Sequence, residues 1–431
     1  MIARTGLPTA ESKQPGARNR PRSALRHYAG LLAPRASSAG RVALERGAGD
    51  RLNRLAHAAA DRAAQRRRPT RPAMRALTAS PGGRLHWTSA PAPPLPGPEG
   101  AIVRPLAVAT CDLDPLIAFG ASPFPLPVHL GHECVAEVVE TGARVATVTP
   151  GQRVIVPFQI SCGTCPACRA GHTGNCQSVP PVAMYGFGVT GGHWGGAYSD
   201  LLAVPYADAM LVPLPPGVAP ATAASVADNV SDAYRHVAPY LPRLRAPDAR
   251  SEILIIGSVT RRTMFAGSVP LYVGLIARAL GVVTVTVVDR RPAVAAQARR
   301  LGLDVLHPKD LRGHKPATLV ADISAHPAGH RLALAATAPD GICSNAGTLH
   351  RATRIPTLAM YARNATLHLG RAHARTLIPP VLDLVTSGRL HPETVTTTLD
   401  SLDNAPEVLR DHFASGGVKA ILVSDPADRT D

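Results

Sequence analysis

The chain has 431 residues, of which 45% are apolar, with seven cysteines and a formal net charge of +16. That length holds two or three domains and that apolar fraction supports a packed core, and since no run of about 18 apolar residues occurs, no membrane span is expected. The charge does not mark the whole chain as a nucleic-acid binder, because residues 1–73 carry 16 Lys and Arg against 4 Asp and Glu, leaving only +4 beyond them.

Residues 1–73 are rich in Arg, Ala, Gly and Pro, include Arg66-Arg67-Arg68, and offer one weak helical stretch around Ala43–Ala64. Such a segment buries too little to order itself. A basic arm on nucleic acid is one reading, but the segment is poor in aromatic side chains that stack on bases. An Arg-rich, acid-poor leader also resembles an organelle transit peptide. The preferred reading takes Met74 as the start of the folded chain, with translated upstream sequence before it. No nucleic-acid or membrane partner and a cytoplasmic location are expected.

From Met74 the stretch MRALTASPGGRLHW reads as an opening strand. Two short clusters follow, Cys111-Asp112-Leu113-Asp114 and Gly131-His132-Glu133-Cys134. Cys and His suit zinc, and Asp228 in SVADNVSDAYRHV completes three protein ligands with a fourth position open, which is the pattern of a catalytic site. Taken singly, a His near a strand or a lone Cys is more often a buried core residue. What reverses that reading is their joint occurrence beside Cys162, Cys165, Cys168 and Cys176, spaced C-x2-C-x2-C-x7-C. Four thiolates with Gly and Pro turns between them predict a closed, structural zinc lobe. Disulfides are set aside because no secretory segment opens the chain.

Beyond Pro242 and Pro247, SEILIIGS reads as a buried strand, PLYVGLIARALG as an apolar helix and VTVTVVD as the next strand. This is the βαβ unit that takes a dinucleotide, its pyrophosphate at the helix N-terminus and an acid on the ribose. Gly257, Gly267, Ser268, Asp289 and Arg290 are the cofactor candidates, Asp289 lying at the usual spacing of about 20 residues after the turn. Ser268 is expected to cap the helix. Pro270, standing where the last glycine of the fingerprint belongs, is tolerated at a first helical position. Arg261 and Arg262 are candidates to reach the pyrophosphate, and Arg290 and Arg291 soften the preference of Asp289 for NAD over NADP. ATLVADIS, GICSNAG and ATLHLG continue the strands, HRLALAATA is helical, HARTLIPPVLDLVTSGRL leads back to the first domain, and VKAILVSD supplies a last strand.

From about Met74 to the C-terminus these pieces resemble the zinc-dependent medium-chain alcohol dehydrogenases. GHECVAEVVETGARVATVTPGQRV is similar to the family's GHE signature with its barrel strands, and the four-cysteine lobe follows at the family distance. The resemblance implies an α/β fold. A GroES-like β-barrel catalytic domain over 74–237 is completed by 372–431, and a Rossmann doubly wound parallel-sheet domain spans 238–371. It implies hydride transfer between an alcohol or aldehyde and NAD, with NADP as the alternative, one catalytic and one structural zinc, and a homo-oligomer. Cys111 and His132 become catalytic ligands, with Asp228 ranked before Glu133 as the third. Many members carry Ser or Thr where Leu113 stands; a leucine relays no proton, so Asp112, Asp114, Glu133 or water inherits that task, and Asp114 and Glu133 are the catalytic candidates. Cys134 and Cys343 match no ligand position and read as buried. Tyr185, His193, Trp194 and Tyr234 fall in or near segments that line the cleft. The altered glycine turn leaves one alternative, a zinc-bearing binding or scaffold protein with a degraded cofactor site.

Overall fold

A computed structural model describes residues 73–428, apart from positions 123, 248–249, 261–262, 264 and 348–352. The arginine run at 66–68, the weak helical stretch and the Arg261-Arg262 pair lie outside the described residues. The first strands are β1 (Met74–Ser80) and β2 (Arg84–Ala90), followed by β3 (Ala101–Ala109), β4 (Val128–His129), β5 (Glu133–Thr141), β6 (Arg153–Val156), β7 (Leu202–Val204) and β8 (Val212–Pro213). The middle of the chain holds β9 (Glu252–Ile256), β10 (Thr284–Val288), β11 (Asp304–Leu306), β12 (Ala317–Asp322), β13 (Thr337–Asn345) and β14 (Thr366–Leu369), and β15 (Thr398–Ser401) and β16 (Ala420–Val423) come last. The helices used below are α1 (Asp114–Ala118), α2 (Asn229–Arg235), α3 (Ser268–Ala279), α4 (Pro292–Arg300), α5 (Pro327–Ala335), α6 (Ala374–Thr386) and α7 (Ala405–Ser415).

The middle strands form one sheet in the order β11-β10-β9-β12-β13-β14, every pair parallel. This is the order of a doubly wound dinucleotide-binding sheet, with its crevice at the switch point beside β9. Strand side chains alternate between faces. Ile253 and Ile255 therefore pack with α3, while Leu254 and Ile256 pack on the opposite side with Ala333 and Leu334 of α5. A strand covered on both faces reads as an unbroken apolar run, which is why EILII was recognisable.

The other strands make a three-stranded sheet, β2-β1-β4, and a sheet ordered β15-β16-β3-β5-β6-β8 with β7 also on β3. Cys134, Ala136 and Val138 of β5 point into the core between these sheets, with Leu77, Val103 and Val156. Val135 and Ile155 face outward and pack into the core that holds α2 and α3. That shared packing fixes the barrel strands against the parallel sheet. Cys134 and Cys343 are buried as expected, and burial pushes the Cys134 thiol up to about 12.

Two details of α3 correct the sequence reading. Ser268 is the first helical residue and not the cap, which is Gly267, and Pro270 is the third helical residue. The acceptor for the helix's leading N–H groups comes from a distant carboxylate, described below. The strands β11 and β15 and the helices α4 and α7 had no reading in the sequence, being short or flanked by polar residues.

Candidate metal centre and cofactor cleft

Strand pairing builds the first cluster. β3 and β5 run antiparallel with Ala109 opposite Glu133, so Cys111, just past β3, meets His132 and Glu133 at the head of β5. Asp228 caps α2 from the third direction. Ligand atoms of Cys111, His132, Glu133 and Asp228 all lie within 4.8 Å of one another, and all four residues are buried. Asp228 Oδ2 is 3.5 Å from Cys111 Sγ and 3.4 Å from His132 Nε2. A tetrahedral zinc with ordinary bonds to S, N and O has edges of about 3.5 Å for S to O and about 3.3 Å for N to O. The two edges that meet at Asp228 therefore have the lengths a tetrahedral zinc requires. His132 Nε2, the ring nitrogen that faces Asp228, is buried with no hydrogen-bond partner among the described residues, as a nitrogen that ligates a cation is; Nδ1 of the same ring and Oε1 of Glu133 are also buried without one.

Around these atoms lies a second layer, of which Lys419 and Asn229 were not found from sequence. Lys419 is fully buried; its Nζ donates to Glu133 Oε2 at 2.8 Å, to Asn229 Oδ1 at 3.1 Å and to the carbonyl of Thr110. Asn229 Nδ2 donates to Cys111 Sγ at 3.2 Å and to Asp228 Oδ2 at 3.1 Å. Asp114 Oδ2 accepts from the Cys111 N–H at 2.8 Å, while its Oδ1 lies 3.8 Å from His132 Nδ1. Burial, then the charges of Asp228, Glu133 and Asp114, push the Cys111 thiol far up, and burial also raises the Asp114 carboxyl. Burial opposes the Lys419 ammonium, but Glu133 chiefly holds its pKa above the ordinary lysine value. One ammonium thus faces a thiol and three carboxyl groups, an excess of acid that a divalent cation offsets.

The second cluster is the expected lobe. Sγ atoms of Cys162, Cys165, Cys168 and Cys176 lie within 4.8 Å of one another, and all seven cysteines are free. Backbone N–H groups of Cys165 and Cys162 donate to Cys162 Sγ and Cys176 Sγ at 3.4 and 3.3 Å, and Gln177 N donates to Cys165 Sγ at 3.4 Å. Although burial works against it, donors from Ser178, Thr164 and Cys165 bring the Cys162 thiol down to about 5, while burial pushes Cys168 up to about 12. Four sulfurs gathered in one small volume, several of them accepting N–H donors, are the donor set that a structural zinc takes once they are deprotonated.

In the cofactor cleft the structure departs from the simple picture. Asp289, at the end of β10, is where the βαβ pattern put it, but both its carboxylate oxygens are taken. Arg291 Nε donates to Oδ1 at 3.0 Å and Nη2 to Oδ2 at 2.6 Å, with Ser258 N and Arg291 N adding 3.0 and 2.8 Å bonds. Arg291, not Arg290, is the cation on the acid, and it reaches on to the carbonyls of Phe265 and Ala266. Crowding accounts for the two glycines: a Cβ on Gly257 would sit 2.2 Å from Asp289 Oδ2, and one on Gly267 would sit 2.3 Å from Val294 Cγ2. A crevice of about 130 Å³ beside Arg291 is lined by Pro115, Phe119, Phe265 and Phe413 among others.

The aromatics that touch the metal centre differ from those anticipated. Phe158 and Phe187 flank His132 with ring centroids 5.9 and 4.9 Å away, and Phe124 stacks edge-on against Phe187 at 4.7 Å. His193 and Trp194 line a separate cavity with Pro91, Pro93 and Pro94, Tyr185 is buried with its hydroxyl on Ala203 O at 2.9 Å, and Tyr234 packs against the core of α2 and α3.

Comparison with known proteins agrees with this geometry. The family model for the alcohol dehydrogenase GroES-like domain matches residues 97–216. A Mycobacterium tuberculosis protein named probable zinc-binding alcohol dehydrogenase is 31% identical over 339 residues, 77% of this chain and 83% of its own length. Glutathione-independent formaldehyde dehydrogenase of Pseudomonas aeruginosa is 31% identical over 243 residues, and there the alignment spans 52% of this chain and 56% of the relative. Among solved structures, alcohol dehydrogenase TADH from Thermus sp. ATN1 superposes with a TM-score of 0.72 at 29% identity, covering 81% of this chain and 99% of that one. With a barrel carrying two ligand clusters and a doubly wound parallel sheet beside it, the chain belongs to the zinc-dependent medium-chain alcohol dehydrogenase family.

Proposed function

We propose that the chain is a zinc-dependent oxidoreductase that transfers a hydride between an alcohol or aldehyde and NAD(P). The observation that supports this most directly is the buried donor set of Cys111, His132 and Asp228, whose two edges at Asp228 match a tetrahedral zinc with one corner left for a substrate oxygen. When bound, zinc and nicotinamide supply Lewis-acid polarisation of that oxygen and acceptance of the hydride. Cys162, Cys165, Cys168 and Cys176 hold a second, structural zinc in this reading. Gly257, Gly267, Ser268, Asp289 and the cation at Arg290-Arg291 form the cofactor side.

The chain's own residues have distinct tasks in this reading. Phe124, Phe158 and Phe187 wall the metal centre with apolar surface, which excludes water and favours an apolar substrate carbon. Asp114 holds the Cys111 backbone N–H and places its other oxygen 3.8 Å from His132 Nδ1, so in this reading it positions ligands and does not touch substrate. Leu113 carries no hydroxyl, and Asp112 is engaged elsewhere. Glu133 Oε1 is then the acceptor of the substrate proton, being buried, unpartnered and adjacent to the ligands, with Lys419 holding the other oxygen. Burial raises the Glu133 carboxyl, and the Lys419 ammonium opposes that rise. Asp228 stays the third ligand and Glu133 the exchangeable one.

The test combines metal analysis with absorbance at the reduced-nicotinamide band across a panel of alcohols. About two zinc ions per chain with NADH or NADPH formation supports the reading; one zinc and no reduction would return the scaffold alternative. Among the described residues no helix is long and apolar enough to cross a membrane. Seven free cysteines suit a reducing compartment, and we place the protein in the cytoplasm. A homo-oligomer is supported by the exposed apolar side chains around the last parallel strand: Leu369 on β14 is 56% exposed, and Leu358 and Tyr361 on the short helix Thr357–Tyr361 that precedes it are 79% and 81% exposed.

A further inference from the structure

Resting on the dinucleotide reading above, we infer that Asp112 is a built-in anion that occupies the phosphate-binding end of α3, so that NAD(P) binds only in competition with this carboxylate. The first turn of a helix attracts an anion through its free N–H groups and the positive end of its dipole. In α3 those positions are the cap Gly267 and the helical residues Ser268, Val269 and Pro270. Pro270 has no N–H to give. Ser268 N donates to Asp112 Oδ1 at 3.0 Å and Val269 N to Oδ2 at 3.1 Å, and Ser268 Oγ donates to Oδ1 at 2.5 Å. The Ala266 N–H donates to the Asp112 carbonyl at 3.0 Å. The N–H groups of Ser268 and Val269, two of the three donors that the cap and leading turn hold, are therefore committed to one buried residue from the other half of the protein.

An ordinary cap comes from the residue just before the helix; this one lies 156 positions away and next to the ligand Cys111. The cleft is held by the chain's own ions at a second point as well, because Arg291 saturates Asp289 and bonds the carbonyls of Phe265 and Ala266 across the same turn. A dinucleotide seated in the usual crevice would meet a carboxylate in place of free N–H groups, and two anions at that distance repel strongly where water is excluded. Releasing Asp112 frees the loop that carries Cys111, so cofactor affinity is coupled to the metal loop.

The experiment is a titration of the zinc-loaded full chain with NADH and NADPH, followed by nicotinamide fluorescence, for the wild type, Asp112→Asn and Asp112→Ala. Asn removes the charge but retains a cap acceptor, so it remains informative where Ala fails to fold. The expected result is tighter binding of either dinucleotide by about tenfold or more in the variants, together with a lower thermal midpoint for Asp112→Ala. A wild type that binds, with folded variants that bind no better, overturns the proposal and leaves the oxidoreductase reading standing. Binding by the variants alone supports it. No binding by any of the three chains overturns both.

Discussion

Lys419 sets the charge balance of the metal centre, and its removal exposes what the centre holds without it. Lys419→Met leaves Glu133 buried with no counter-charge, a change that costs about 3–5 kcal/mol in buried pairs. Urea unfolding of the zinc-loaded chain should show that loss, and a change below about 1 kcal/mol would mean the pair is neutral. Asp228 and Glu133 are separated by metal content. Asp228→Asn should lose the catalytic zinc and keep the lobe zinc, going from about two ions per chain to about one, whereas Glu133→Gln should retain both and lose turnover. The reverse pattern would make Glu133 the third ligand. These residues were unequally legible. Cys111 and His132 stood out because soft ligands gathered in short clusters suit a metal better than they suit a core; Lys419 and Asn229 did not, since an isolated Lys or Asn gains meaning only when strand register carries it across 286 or 118 positions.

Among the elements, the cysteine lobe was readable in full because its ligands fall between positions 162 and 176, close enough for turns alone to bring them together. A metal that organises such a segment contributes folding free energy, roughly 10–16 kcal/mol in small zinc peptides. Cys168→Ser should remove one zinc per chain and make the lobe the first site of proteolysis, with the catalytic zinc retained. Equal zinc content in the variant, measured by emission spectroscopy, would show the lobe to be metal-free. The parallel strands other than β11 were likewise legible, as apolar runs ended by Gly, Asp or Ser. α3 was recognised as a helix, yet its N-terminus was misread: Ser268 has the residue type of a cap, and only the fold shows that Asp112 has taken that role.

In the molecule as a whole the proposed oligomer contact falls at the β14 end of the parallel sheet. β14 ends the parallel sheet and exposes Leu369, and the helix Thr357–Tyr361 that precedes it in the chain exposes Leu358 and Tyr361. Replacing Leu358 and Tyr361 together by Lys should shift the protein to monomers in sedimentation experiments; an unchanged mass would place the oligomer contact elsewhere. The fold class was legible from the order of motifs, but such an edge was not, because exposure is a property of the assembled sheet. The barrel sheet also recruits β16 beside β3, with Ile421 opposite Ala109, and Lys419 reaches Thr110 from 309 positions away. A chain emerging from the ribosome has therefore synthesised every thiolate, imidazole and carboxylate of the catalytic pocket long before the ammonium that steadies them exists. The pocket can close only once residue 419 has been made, and metal captured earlier rests in a half-built cage.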